Sequence, residues 1–73
     1  MKLCIYCAGG LGKEVFDIAY RINHTKSRWD EIFFVDDTEG LGKNCYLGRL
    51  FKFDEIMVEF KDDELEFVIA NGE

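Results

Sequence analysis

The pattern of apolar and polar positions divides the chain into short segments of different period. Lys2 to Cys7 is a brief apolar run bounded by glycines, which predicts a first strand. From Leu11 the period changes. Leu11, Val15, Ile18, Ala19 and Ile22 recur at i, i+4, i+7, i+8 and i+11, the spacing of one helical face. Asp17 and Arg21 lie four apart in the order that supports such a helix, which should end near Asn23-His24. Glu31 to Asp36 contains four consecutive apolar residues, the mark of a strand covered on both faces as in a parallel sheet. Asp37 to Asn44 is polar and glycine-containing and reads as a loop. Tyr46 to Phe51 reads as a third strand interrupted by Gly48. Asp54 can cap a short helix through Phe60 that turns Ile56, Met57 and Phe60 inward. Asp62-Asp63-Glu64 is an acidic turn, and Glu66 to Ala70 is a fourth strand, followed by Asn71-Gly72.

The resulting order, β-α-β-β-α-β, predicts an α/β domain with a mostly parallel four-stranded sheet. The 73 residues make one domain or a piece of a larger protein. A helix would normally follow the last strand and cover its face. Residues 1–73 are therefore expected to be a fragment, or to present that face to a partner. A hydrophobic fraction of 48%, with seven Phe and one Trp, argues against disorder.

Charge narrows the partners. The formal net charge is −6, with nine dispersed basic residues against fifteen acidic ones, which argues against nucleic acid and anionic membranes. A single anionic ligand stays compatible, because a local field can oppose the overall charge. No apolar run approaches the ~20 residues of a membrane span. The N-terminus lacks a signal-peptide core, so a cytoplasmic protein is expected. Three cysteines, an odd number, fit reduced thiols in that compartment.

The chemistry concentrates in Cys7-Ala8-Gly9-Gly10-Leu11-Gly12-Lys13-Glu14. This is nearly G-x-G-x-x-G between a strand and a helix, with Cys7 in place of the first glycine. A phosphate there needs a tight turn, close backbone approach and free N–H groups at the helix start. Gly9 and Gly10 permit the approach and any positive φ, Gly12 permits tight helix-to-strand contact, and Lys13 adds a cation. With Cys7 at its start, the turn is expected to use dihedrals open to an L-residue. Asp36 ends the second strand 24 residues after Gly12, where a Rossmann acid accepts hydrogen bonds from a ribose, and Asp37 follows it. The structural alternatives are a glycine turn that only seats the helix on the sheet, and a solvated aspartate pair that opens a turn. Cys4 and Cys7 match C-x-x-C but should face opposite sides of a strand. Cys45 reads as a buried small residue, His24 as a solvated helix-end histidine, Phe16 and Tyr20 as packing, and Trp29 as covering a helix edge.

These residues resemble the N-terminal domain of the NeuD/PglD-type sugar acyltransferases. The resemblance is carried by Ile5 to Val15, Phe34-Val35-Asp36-Asp37, Leu47-Gly48, Phe53-Asp54-Glu55 and Val68 to Glu73. It implies a small Rossmann-like unit that binds the UDP part of an activated sugar, or presents a sugar substrate. Gly9, Gly10, Leu11 and Gly12 would line the phosphate and sugar side, and Asp36 and Asp37 the uridine side. It further implies a second domain, a left-handed β-helix that binds acetyl-CoA, carries the catalytic histidine and forms a homotrimer. No hexapeptide repeat of that kind occurs in this sequence, so the chain is not expected to transfer an acyl group by itself. Cys7, Leu11 in place of a frequent histidine, and Asn71 in place of a frequent apolar residue are departures from the pattern. An NAD-binding fragment of an oxidoreductase and an interaction domain without a small ligand are the alternatives.

Overall fold

In the computed structural model, residues 1–38 and 42–70 are described. Residues 39–41, in the middle of the predicted loop, and Asn71-Gly72 lie outside them. The elements run β1 (Lys2–Tyr6), α1 (Gly10–Lys26), β2 (Ile32–Val35), β3 (Asn44–Cys45), β4 (Gly48–Phe51), α2 (Phe53–Glu59) and β5 (Leu65–Ile69). The α/β architecture is as expected, but the described sheet has five strands rather than four, in the order β3-β4-β2-β1-β5. The inner pairs β4·β2, β2·β1 and β1·β5 are parallel. The added strand is β3, which pairs antiparallel with β4 through Asn44↔Arg49 and Cys45↔Gly48. Tyr46 is therefore not a strand residue. It takes φ 56 at the tip of the β3–β4 hairpin, where a two-residue turn needs left-handed backbone.

One helix covers each face of the sheet. Under α1 lie Leu3, Ile5, Ile32, Phe34 and Leu50, and under α2 lie Cys4, Phe33 and Val35. Alternation along β1 and β2 thus sends successive side chains into two cores, which is why β2 reads as an unbroken apolar run.

The helix faces differ from the simple periodicity. Gly12, Phe16 and Ala19 face the core of α1, while Leu11, Ile18 and Ile22 are exposed. Phe16 decides the rotation. Its ring stacks 5.1 Å from Phe34 and lies against Gly48, where a Cβ would come within 2.8 Å of it. The helix also runs to Lys26, beyond Asn23-His24, because Ser27 supplies a left-handed cap at φ 48 and donates its N–H to the Asn23 carbonyl. Asp17 accepts from the Tyr46 hydroxyl at 2.7 Å and makes no salt bridge with Arg21. In α2, Ile56 and Phe60 are buried as expected, but Met57 is 67% exposed. Lys52, not Asp54, is the N-cap.

Candidate functional site

Connections leave β1 toward β2 on one side and arrive at β5 on the other, so the sheet reverses its winding between β1 and β5. Ligands of open α/β sheets sit outside the carboxyl ends of the strands at such a point. The glycine loop leaves β1 there. The Cys7 N–H donates to the Val35 carbonyl at 2.8 Å, and the Ala70 N–H to the Tyr6 carbonyl at 3.0 Å.

The backbone at Cys7 corrects the sequence reading. Cys7 has φ 85, a left-handed conformation that favours glycine, whereas Gly9 is extended at φ −76. The first position of the fingerprint therefore needs positive φ even when a cysteine fills it, at a strain of ~1–3 kcal/mol. Gly12 explains the demand. A Cβ on Gly12 would overlap the Cys7 carbonyl oxygen and approach its carbon to 3.1 Å. Helix and strand end meet here backbone to backbone. Gly12 is buried and packs inward, while around Gly9 and Gly10 an added Cβ would find nothing within 4 Å.

The two helix starts differ in chemistry. At α2, the Glu55 carboxylate accepts from the Lys52 N–H at 2.7 Å and the Asp37 carboxylate from the Phe53 N–H at 2.8 Å. The capping is one-sided, since the Lys52 ammonium has no acceptor to offer in return. Asp54 and Glu55 add negative charge to that first turn. At α1, the N-cap is Gly9 with no side-chain cap, and the first turn holds no acid. Lys13 donates its N–H to the Gly9 carbonyl at 3.0 Å, the first bond of the helix. The N–H groups of Gly10, Leu11 and Gly12 precede it and have no described acceptor. This positive end has no side-chain cap, and the Asp36 carboxylate beside the loop is bound to the Ala8 N–H instead.

Asp36 joins the loop to the second strand. One oxygen accepts from the Ala8 N–H and the other from the Thr38 N–H, both at 2.9 Å. The second bond is an Asx turn. Thr38, through its side chain, and then the Ala8 N–H hold the Asp36 carboxyl below the usual carboxylate range. A cleft of about 230 Å³ opens beside it, lined by Asp36, Thr38, Lys43, Phe51, Lys52 and Glu55 among others. The structure thus brings Asp36 against the glycine loop, turns Asp37 toward α2 and leaves Lys13 and Leu11 on the surface. Ala8, Thr38, Lys43 and Lys52 were not anticipated. Their roles arise from contacts between segments, and no periodicity marks them.

The remaining candidates have structural places. Cys4 is buried and its thiol is pushed up to about 12 by desolvation, so it stays protonated. Cys45 is half-buried, with Sγ 3.7 Å from the Ala8 carbonyl. Trp29 rests against the core under α1 and donates Nε1–H to Glu66 at 2.7 Å. His24 is exposed and stacks on Tyr20, which in turn stacks on Phe16. No helix among the described residues is long and apolar enough to cross a membrane.

Comparison with known proteins returned one finding. A family model described as the PglD N-terminal domain matches residues 2–73. No curated protein and no solved structure matches.

Proposed function

Because this chain belongs to the PglD N-terminal domain family, the N-terminal domain of PglD/NeuD-type acetyltransferases, we propose that it recognises a UDP-sugar or related sugar substrate in the cytoplasm. In this reading the diphosphate lies at the start of α1, before Gly9 and Gly10, with Lys13 as a nearby cation, Gly10 and Leu11 contributing main-chain N–H groups, and Gly12 letting the helix start sit close against the strand end. Asp36 faces the ribose, and the cleft beside it takes the base. Asp37 orders this region by capping α2.

The observation that carries the proposal is the contrast between the helix starts. α2 is closed by two carboxylates from the chain itself, while α1 is left bare beside open space at Gly9 and Gly10. A helix start that faces a switch point without an internal anion is suited to an external one. Asp36 accepts from the Ala8 and Thr38 N–H groups and is held by the Thr38 side chain, and an ionised carboxylate has about four lone-pair sites. It retains capacity for a hydroxyl donor.

The chemical contribution is positioning. A bound sugar held by its nucleotide presents its amine or hydroxyl to an acetyl donor, which removes part of the entropic cost of a bimolecular step. Acetyl-CoA and the general base that deprotonates the acceptor belong, in this reading, to a following β-helix domain that forms a homotrimer.

Titration of the labelled chain, followed by amide shifts, tests the proposal. UDP-sugar is expected to move the Gly9 to Gly12 and Asp36 amides, and NAD is expected not to. Gly10→Val should weaken binding at least ~10-fold by crowding the approach, consistent with ~1.4 kcal/mol or more of lost contact. Silence toward UDP-sugar, or unchanged affinity in a folded Gly10→Val chain, overturns the reading.

A further inference from the structure

The β3–β4 hairpin grips the chain on both sides of the glycine loop. On the near side, the Ala8 peptide is held at both ends. Its N–H donates to Asp36 at 2.9 Å, and its carbonyl accepts weakly from the Cys45 thiol at 3.7 Å. On the far side, the hairpin meets the second turn of α1. The Tyr46 hydroxyl donates to the Asp17 carboxylate at 2.7 Å, and the Tyr46 ring stands edge-on to Phe16 with centroids 5.9 Å apart. Gly48 lets the Phe16 ring lie against the start of β4, where an added Cβ would come within 2.8 Å of it. Between these anchors an added Cβ at Gly9 or Gly10 would find nothing within 4 Å.

Two glycines between fixed points hold the greatest conformational freedom in the loop, and any freedom left in the free protein is lost when a ligand orders it. Fixing the flanks beforehand reduces that cost. Among the hairpin contacts the bond from Tyr46 to Asp17 is the charge-assisted one, and it joins segments 29 residues apart. The same arm of the hairpin reaches the cleft beside Asp36. Lys43 lines that cleft, and its carbonyl accepts from the Leu50 N–H at 2.8 Å. It lies two residues before Cys45, ~7 Å along an extended chain.

We infer that the β3–β4 hairpin presets the glycine loop for its ligand, and that Tyr46 is a positioning residue that acts through Asp17. The inference rests on the proposed function, which puts the diphosphate at the start of α1 and the base in the cleft. Tyr46 touches no ligand in that reading. It fixes the second turn of α1, while Cys45 fixes the Ala8 end of the loop. The main-chain N–H groups of Gly10 and Leu11 are thereby aimed before a ligand arrives.

A contact that only stabilises the fold changes the folded fraction, whereas a positioning contact changes the affinity of a chain that is already folded. Titration with UDP, followed by amide shifts far below the unfolding transition, separates the two. Tyr46→Phe keeps the ring on Phe16 and removes the hydroxyl, and Asp17→Ala removes the acceptor. Each should weaken UDP binding ~3–10-fold. The double variant should lose no more than either single one, because both remove the same bond. Asp17→Asn, which keeps a carbonyl acceptor, should recover most of the loss. In the free protein, hydrogen exchange at the Ala8 and Lys13 amides should quicken in Tyr46→Phe while the β1 and β5 amides keep their rates, the pattern of local rather than global loosening. Unchanged UDP affinity in Tyr46→Phe, or losses that add in the double variant, overturn this inference and leave the site reading in place. Silence of the unmodified chain toward UDP overturns the site reading, and this inference with it.

Discussion

Gly12→Ala is a substitution for which helix propensity and local geometry give opposite signs. Alanine is favoured over glycine within a helix by up to ~1 kcal/mol. On that basis the change at the third position of α1 should stabilise the fold. The structure says otherwise, because the new methyl would overlap the Cys7 carbonyl oxygen and lie 3.1 Å from its carbon. Neither atom belongs to a flexible side chain. Relief requires α1 to lift off the end of β1 or the Cys7 peptide to rotate, and Cys7 is already held at φ 85. Overpacking against a fixed neighbour costs ~1–3 kcal/mol, occasionally more. Backbone on both sides of the contact places Gly12→Ala at the upper end, about 2–3 kcal/mol net after the propensity gain. A chain of this size has ~4–11 kcal/mol to lose. Urea denaturation followed by Trp29 fluorescence is the assay. With a slope near ~1 kcal/mol/M, the midpoint should fall by about 2–3 M. Gly10→Ala is the control, since nothing lies within 4 Å of its added Cβ, and its stability should stay within ~1 kcal/mol of the parent. A Gly12→Ala chain as stable as the parent would refute the account of backbone contact between helix and strand.

Two further outcomes follow from the loop and its acid. Cys7→Gly removes the cost of positive φ but adds freedom to the unfolded chain, so the expected net gain is ~0.5–1 kcal/mol, or a rise of a few degrees in Tm; a lower Tm would mean that the thiol contributes more than the strain costs. Stability should also fall in acid. The Asp36 carboxyl, held by Thr38 and Ala8, and the Glu31 carboxyl, held by Arg49, both lie below their ordinary values in the folded chain. Their contribution is thus complete above the unfolded values of ~4 and lost as pH falls through the folded ones. Urea midpoints measured from pH 7 down to pH 3 should be flat at first and then decline below about pH 5, with a shallower decline in Asp36→Asn. A flat profile to pH 3 contradicts this.

Most of the fold was legible because strand and helix periods are local properties. The run Ile32 to Val35 announces its double burial, and the switch at Leu11 announces α1. Two features escaped. An apolar stripe at helical spacing puts Leu11, Val15, Ile18, Ala19 and Ile22 on the core face of α1; Ala19 is buried and Val15 packs against the core, but Leu11, Ile18 and Ile22 are exposed. Contact of Gly12 with the β1 end and of Phe16 with Phe34 turns that stripe partly outward instead. The strand β3 was missed because two residues cannot show a period, and its pairing depends on a turn at Tyr46 whose left-handed backbone no glycine or asparagine advertises. In the site, the association of glycine loop and Asp36 was legible from spacing. The places of Thr38 and Lys43 beside Asp36 were not, since they depend on where one segment meets another.

The contact between Asp36 and Ala8 also sharpens which atoms a phosphate could use. A sequence containing a glycine loop and a later acid suggests two ligand groups acting side by side. In the folded chain the acid first serves the loop, because its carboxylate satisfies the Ala8 N–H. That donor is unavailable to an anion, and the carboxylate would repel one placed near Ala8. The donors left are those of Gly10, Leu11 and Gly12, above the first helical bond from Lys13 to Gly9. Gly12 is buried against the strand end, so the accessible pair is Gly10 and Leu11. In the proposed reading the negative carboxylate and the positive helix start would therefore act on different parts of a ligand: hydroxyl donors at one, phosphoryl oxygens at the other. A ligand with both would satisfy the two ends at once. An inorganic phosphate would meet only one of them, and should bind more weakly for that reason.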